Sequence, residues 1–122
     1  MRPGYIIAAA LLAAPAAAQA QTAPNGKVAF AACMACHGTK PTDKRMGPTM
    51  AGIVGRKAGS VAGYAYSPAM AKSGIVWNEA KLDAYMTNPK GVVPGTKMAF
   101  GGVPQPAKRK AIIDYLKTLP AK

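Results

Sequence analysis

The run Cys33-Met34-Ala35-Cys36-His37 constrains this chain more than any other stretch. Its spacing, C-x-x-C-H, is the attachment signature of c-type haem. Two thiols so spaced can each add across one vinyl group of the porphyrin, giving two thioether bonds. His37 follows the second anchor directly, so its imidazole can sit under the iron as proximal ligand. Other readings of a C-x-x-C pair fit less well. A zinc site needs four ligands, and the chain has 2 Cys and 1 His in all. A thioredoxin-like redox pair needs a βαβ context, which nothing nearby supplies. A disulfide staple in an exported protein is the remaining alternative.

Residues 1–20 read as a removable signal peptide. Arg2 is followed by an alanine-rich apolar run from Tyr5 to Ala18, and Ala18-Gln19-Ala20 has the A-x-A form of a cleavage site. The run is short and poor in bulky residues for a membrane anchor, which needs about 20 apolar residues. Residues 21–122 then form one small domain exported to the periplasm. Without Arg2, 15 Lys and Arg face 4 Asp and Glu, a formal charge of +11, and two haem propionates would bring it to +9. Such a surface calls for acidic partners or an anionic membrane surface, and no nucleic-acid module is present. The plain alternative is a solvated basic surface that serves solubility.

Helix punctuation is clear, and no stretch alternates with period two, so the expected class is all-α. Asn25 can cap a helix from about Gly26 to Cys36. Ser67, Pro68 and Gly74 delimit a second short one. Asn78 and Glu79 open a third with Leu82, Tyr85 and Met86 on one face, ended by Asn88-Pro89. The last starts near Pro106 with a stripe of Ile112, Tyr115, Leu116 and Leu119, and Pro120 ends it. Two long loops lie between, about Gly38 to Tyr66 and Pro89 to Gln105. Loops of that length can fold over a cofactor face as they cannot fold over nothing.

The sixth ligand follows partly by exclusion. His37 is the only histidine, so a second imidazole is impossible within one chain. Met, Lys, Tyr or an open site remain. Met34 lies between the anchors, Met46 and Met50 follow them closely, and Met70 and Met86 fall on helices. Met98 sits in a loop after Pro94-Gly95, far along the chain and free to reach the opposite haem face.

The pieces Gly26, Phe30, Cys33-x-x-Cys36-His37, Gly47-Pro48, Gly55-Arg56-x-x-Gly59, Tyr66-Ser67, Gly74-Ile75-x-Trp77, Asn88-Pro89-Lys90, Pro94-Gly95-Thr96-Lys97-Met98-x-Phe100 and Tyr115-Leu116-Lys117 occur in this order. Together they resemble the class I c-type cytochromes, in the branch of mitochondrial cytochrome c and its bacterial periplasmic counterparts. The resemblance implies a small cytochrome c fold: short helices and long loops wrapped around one covalent haem c. It implies iron held by His37 and Met98, with Cys33, Cys36, Pro48, Arg56, Tyr66, Trp77, Tyr85, Thr96 and Phe100 around the cofactor. Pro48 would accept the His37 ring N–H; Arg56, Tyr66 and Trp77 would hold a propionate; Tyr85 would approach the Met ligand; Phe100 would shield one haem edge. Gly26, Phe30, Ile112 and Tyr115 would form the crossing of the first and last helices.

The resemblance further implies a soluble, monomeric one-electron carrier of respiratory-chain electron transport, not an enzyme. It would take electrons from a quinol-oxidising complex and pass them to a terminal oxidase, a reaction centre or a peroxidase, meeting their acidic faces transiently at the membrane. One departure bears on docking. The lysine run that often follows the shielding Phe is replaced by Gly101-Gly102-Val103-Pro104-Gln105-Pro106, which shifts the weight to Lys40, Lys44, Lys90 and Lys97. The competing expectations are an enzyme or gas sensor with an open sixth site, and a haem-free binding module with a Cys33-Cys36 disulfide.

Overall fold

Each of the first four helices begins where a short polar side chain stands ready to take up its free N–H groups. The computed structural model describes residues 3–4, 9–10 and 24–122. The expected signal segment and its cleavage site therefore lie almost wholly outside the described residues. Helix α1 is Gly26–Phe30, α2 Pro68–Ala71, α3 Glu79–Thr87, α4 Pro89–Val92 and α5 Pro106–Leu116. The Asn25 side chain accepts from Lys27 N at 3.0 Å, Ser67 Oγ from Met70 N at 3.1 Å, and Asn78 Oδ1 from Lys81 N at 2.8 Å. These are the oxygen-bearing caps that satisfy orphan donors of a first turn. Helix α5 lacks a side-chain cap and starts on a proline, which has no N–H to satisfy.

Two expectations need correction. The first helix does not run to Cys36. Beyond Phe30 the chain continues in tight turns, with Cys33 N bonded to Phe30 O at 2.8 Å and Cys36 N to Cys33 O at 3.1 Å. Bonds three residues apart, which wind the chain more sharply than an α-helix does, are mixed here with bonds four apart, and the regular helix stops early. The loop after Pro89 is not irregular from its start either. Asn88 closes α3 with its backbone N–H on Ala84 O, and its side chain caps α4 through Gly91 N at 3.2 Å. One residue serves both ends, so the break expected at Asn88-Pro89 is a change of direction.

Helices α1 and α5 cross, and α3 packs on both α4 and α5. At the crossing, a Cβ on Gly26 would lie 2.8 Å from Tyr115 Cβ, so only glycine lets the two backbones meet. Phe30 and Tyr115 stack at 5.5 Å between ring centroids. Phe30, Ile112, Ile113, Leu116, Leu82, Trp77, Tyr85, Val93 and Val103 form the buried core. Among the described residues there is no strand. One antiparallel bridge, Lys57 with Val76, ties the long loop to the segment before α3, supported by Ala58 N to Ile75 O at 2.7 Å and Trp77 N to Arg56 O at 2.8 Å. No described helix is long and apolar enough to cross a membrane.

Candidate functional site

The tight turns after α1 present Cys33, Cys36 and His37 on one stretch of backbone, His37 N donating to Cys33 O at 2.8 Å. The next segment folds back along it. Gly47 N donates to Cys36 O at 2.7 Å, Met50 N to Gly38 O at 2.9 Å, and Thr49 Oγ1 to Lys40 O at 2.7 Å. This return brings the Pro48 carbonyl to 2.8 Å from His37 Nδ1. A carbonyl only accepts, so Nδ1 carries the proton and Nε2 keeps its lone pair. Gly47 lies flat on the ring: a Cβ there would come within 2.5 Å of Cε1. Burial pushes the imidazole below its ordinary pKa, the Pro48 bond opposes that shift, and the Arg56 charge adds to it. Both thiols are free and half-buried. Burial pushes the Cys33 thiol up, with the Lys108 charge opposing and Cys36 adding.

Met98 is half-buried and packs against the core. Its backbone is tethered: Met98 N donates to Thr96 Oγ1 at 3.3 Å, and that hydroxyl shares a 2.7 Å hydrogen bond with Tyr85 OH. Burial raises the Tyr85 phenol, partly offset by the Thr96 bond, and Tyr64 adds to the rise. Trp77 stacks on Tyr85 with centroids 5.0 Å apart.

The candidate propionate holders are joined less directly. Arg56 Nη1 donates to the carbonyls of Thr49 at 2.9 Å and Ala51 at 3.1 Å. Burial lowers its pKa, and nearby Tyr66 opposes the shift. The Tyr66 hydroxyl accepts from Val61 N at 3.1 Å. Among the described residues no hydrogen bond joins Tyr66 to Arg56 or Trp77. Phe100 is 40% exposed, at the surface of the Met98 loop.

Two residues at the site escaped sequence reasoning. Tyr64 donates its hydroxyl to Met46 O at 2.8 Å, meets Tyr66 edge-on, and lies under Lys97 Nζ at 4.5 Å from the ring centroid. Lys97 also donates to the Ala65 carbonyl, so this lysine is not simply a free surface charge. The signal was the Tyr-Ala-Tyr spacing, which puts both rings on one side of an extended segment. Arg109, within the basic triplet Lys108-Arg109-Lys110, is buried at 9% exposure. Its signal was its place three and seven residues before Ile112 and Leu116, on the buried stripe of α5.

The donors at the attachment turn are one imidazole nitrogen and two thiols, and Met98 is one of several thioethers packed against the core. Among the described residues no group of three or more His, Cys, Asp or Glu side chains could hold a bare metal ion. One imidazole beside two thiols in C-x-x-C-H spacing suits a metal that arrives with its own ring of ligands and covalent anchor points. Comparison with known proteins agrees. The family model described as cytochrome c matches residues 23–120. Cytochrome c2 of Rhodomicrobium vannielii is 45% identical over 114 residues, covering 93% of this chain and 91% of the relative. Cytochrome c2 iso-2 of Magnetospirillum fulvum is 48% identical over 91 residues, covering 75% and 95%. The solved structure of cytochrome cH from Methylobacterium extorquens superposes with a TM-score of 0.73 at 49% identity, covering 76% of this chain and 94% of that one. A fold of helices alone, a C-x-x-C-H turn whose histidine keeps one nitrogen free, and these matches together make the chain a member of the cytochrome c family, an electron carrier whose cofactor is covalent haem c.

Proposed function

We propose that the protein carries single electrons between membrane redox complexes in the periplasm, with haem attached at Cys33 and Cys36 and its iron held by His37 and Met98. When bound, the haem would supply a one-electron couple, and a Met98 thioether ligand together with burial of the ring would raise its potential. The observation that carries the reading is the His37 ring, fixed through Nδ1 by the Pro48 carbonyl at 2.8 Å. Such a bond orients an imidazole and strengthens it as a donor. The tether from Tyr85 through Thr96 to the Met98 backbone supports a Met98 thioether held in place to serve as the second ligand. Two ligands held by the chain change little between oxidation states, which suits fast transfer without proton chemistry. Arg56, Tyr66 and Trp77 are assigned to the propionate side, and Phe100 to shielding of the exposed edge. The unpaired positive charge is assigned to acidic faces of donor and acceptor.

Optical spectra of the haem-loaded protein test this reading. The oxidised form should show the far-red sulfur-to-iron band, and the reduced form should leave carbon monoxide unbound. Ready binding of carbon monoxide by the reduced protein would show an open sixth position and favour an enzyme or gas sensor instead.

A further inference from the structure

Arg109 is out of place for a surface charge. It occupies the buried stripe of α5, with its side chain 10% exposed. Its Nε donates to Asp83 Oδ1 on α3 at 2.7 Å, and its Nη1 donates to the carbonyls of Val103 at 2.9 Å and Pro104 at 3.0 Å. Those carbonyls belong to the segment through which the Met98 loop returns to the core. The same segment is held at two further points. Val103 N donates to Met86 O at 2.7 Å. Gly102 adopts φ +111° and runs so close to α3 that a Cβ would lie 2.5 Å from Thr87 O. The other end of the loop also lands on α3, through Thr96 Oγ1 and Tyr85 OH at 2.7 Å. Both feet of the loop therefore stand on one helix, and Met98 lies between them.

We infer that the Asp83-Arg109 pair is a clamp that sets how readily the loop bearing Met98 lifts away from its seat; this rests on Met98 being the sixth ligand. The physical reason is the burial of the cation. Carbonyl dipoles alone do not compensate a guanidinium taken out of water, and the Asp83 carboxylate completes its environment. Asp83 itself is half-exposed, its side chain at 48%. It can be altered without opening the core. If its charge goes, the guanidinium gains by turning toward water, and the bonds to Val103 and Pro104 go with it. The foot nearest α5 then loosens while the Tyr85 foot stays.

Exogenous imidazole is the probe. It binds the oxidised haem-loaded protein only when Met98 gives way, and loss of the far-red band reports its binding. Asp83→Asn should raise the apparent affinity for imidazole about tenfold, equivalent to about 1.4 kcal/mol. Asp83→Glu keeps the charge and should restore the parent value. Lys117→Ala removes ion pairs to Glu79 and Asp114 on the same helix pair without touching the loop, and should leave imidazole affinity at the parent value. Amide exchange at Val103 should quicken in Asp83→Asn while the amides of Ile112 and Ile113 do not change. Unchanged imidazole affinity in Asp83→Asn, or an equal rise in Lys117→Ala, overturns the clamp and leaves the ligand assignment standing. A far-red band that survives Met98→Ala overturns the ligand assignment and the clamp with it.

Discussion

Replacing Gly47 with alanine tests the seat of the proximal histidine. The new Cβ would stand 2.5 Å from His37 Cε1 and 2.7 Å from Nδ1, where ordinary contact is 3.4–4 Å. Gly47 cannot retreat freely, because its N–H is bonded to Cys36 O at 2.7 Å. The ring must give way by about 1 Å. A shift of that size stretches the 2.8 Å Nδ1···Pro48 O contact out of hydrogen-bond range. Overpacking of this kind costs about 1–3 kcal/mol, and the lost hydrogen bond adds about 1 kcal/mol. Restriction of the unfolded chain by alanine offsets about 0.4–1 kcal/mol. The net expectation is destabilisation of about 1–3.5 kcal/mol, read from the urea midpoint at unchanged slope. A weaker imidazole donor would stabilise ferric iron less, so the midpoint potential should rise. Gly101→Ala is the control, because nothing lies within 4 Å of its Cβ. If Gly47→Ala unfolds within about 0.5 kcal/mol of Gly101→Ala, with the parent's potential, the ring is not seated as argued.

Met98→Ala should leave the haem attached, abolish the far-red band and lower the potential; persistence of the band there, with its loss in another Met variant, would move the ligand elsewhere. Asp43 is held below its ordinary pKa chiefly by the Lys40 N–H, with Thr39 N–H and the Arg45 and Lys40 charges adding and desolvation opposing. A depressed folded pKa means the unfolded chain takes up the proton first, so this stabilisation is present above about pH 4 and lost as pH falls below it. Asp43→Asn should flatten the acid limb of stability against pH, and an unchanged slope would exclude Asp43 as a contributor. Electron transfer to an acidic partner should slow steeply as salt shortens the screening length from about 30 Å to about 10 Å. Lys90→Glu should slow it more than Lys81→Glu in stopped-flow measurements; equal effects would mean that net charge alone acts.

Most helix starts were legible because each rests on a local bond from a named side chain: Asn25, Ser67 and Asn78 cap as their types suggest. The last helix ends at Leu116, one turn short of the expected stop at Pro120, but its start was legible from Pro106 and its apolar stripe. The end of α1 was not, since Ala31 and Ala32 suit a helix and nothing local demands the tighter turns that follow. Helix α4 was hidden by the double use of Asn88, which reads as a stop when only one helix is in view. At the site, the anchors follow from motif spacing and His37 from being the only histidine, while Met98 is a candidate chosen among 7 methionines by its place in the chain. The contacts that orient them come from chain reversal and cannot be read from spacing alone. Thr49 and Met50 fold back on Lys40 and Gly38, and only that return aims the Pro48 carbonyl. Arg109 was obscured by its basic neighbours, because charge suggested the surface while helical register pointed inward.

The few carboxylates of the chain cancel only part of its positive excess. The chain has 4 Asp and Glu, and all of them are engaged inside the fold. Asp43 accepts from the N–H groups of Thr39 and Lys40, each at 3.0 Å. Asp83 pairs with Arg109, Asp114 with Lys110 and Lys117, and Glu79 with Lys117. Three of these carboxylates lie on α3 and α5, where they pair with Arg109, Lys110 and Lys117 and leave Lys81 and Lys108 without a carboxylate. Of the 15 Lys and Arg after residue 20, Arg109, Lys110 and Lys117 pair with carboxylates, leaving 12 without one. Those include Lys40 and Lys44 beyond the attachment turn, and Lys90 and Lys97 around the Met98 loop. Exposed pairs contribute little to stability, but they cancel field at a distance. Reversing Lys117 would set a third carboxylate against Glu79 and Asp114 and disturb the α3-α5 contact as well as the field. Lys81, exposed on α3 and paired with no carboxylate, changes net charge equally without that second effect, which makes it the cleaner reference for any test of where an acidic partner docks.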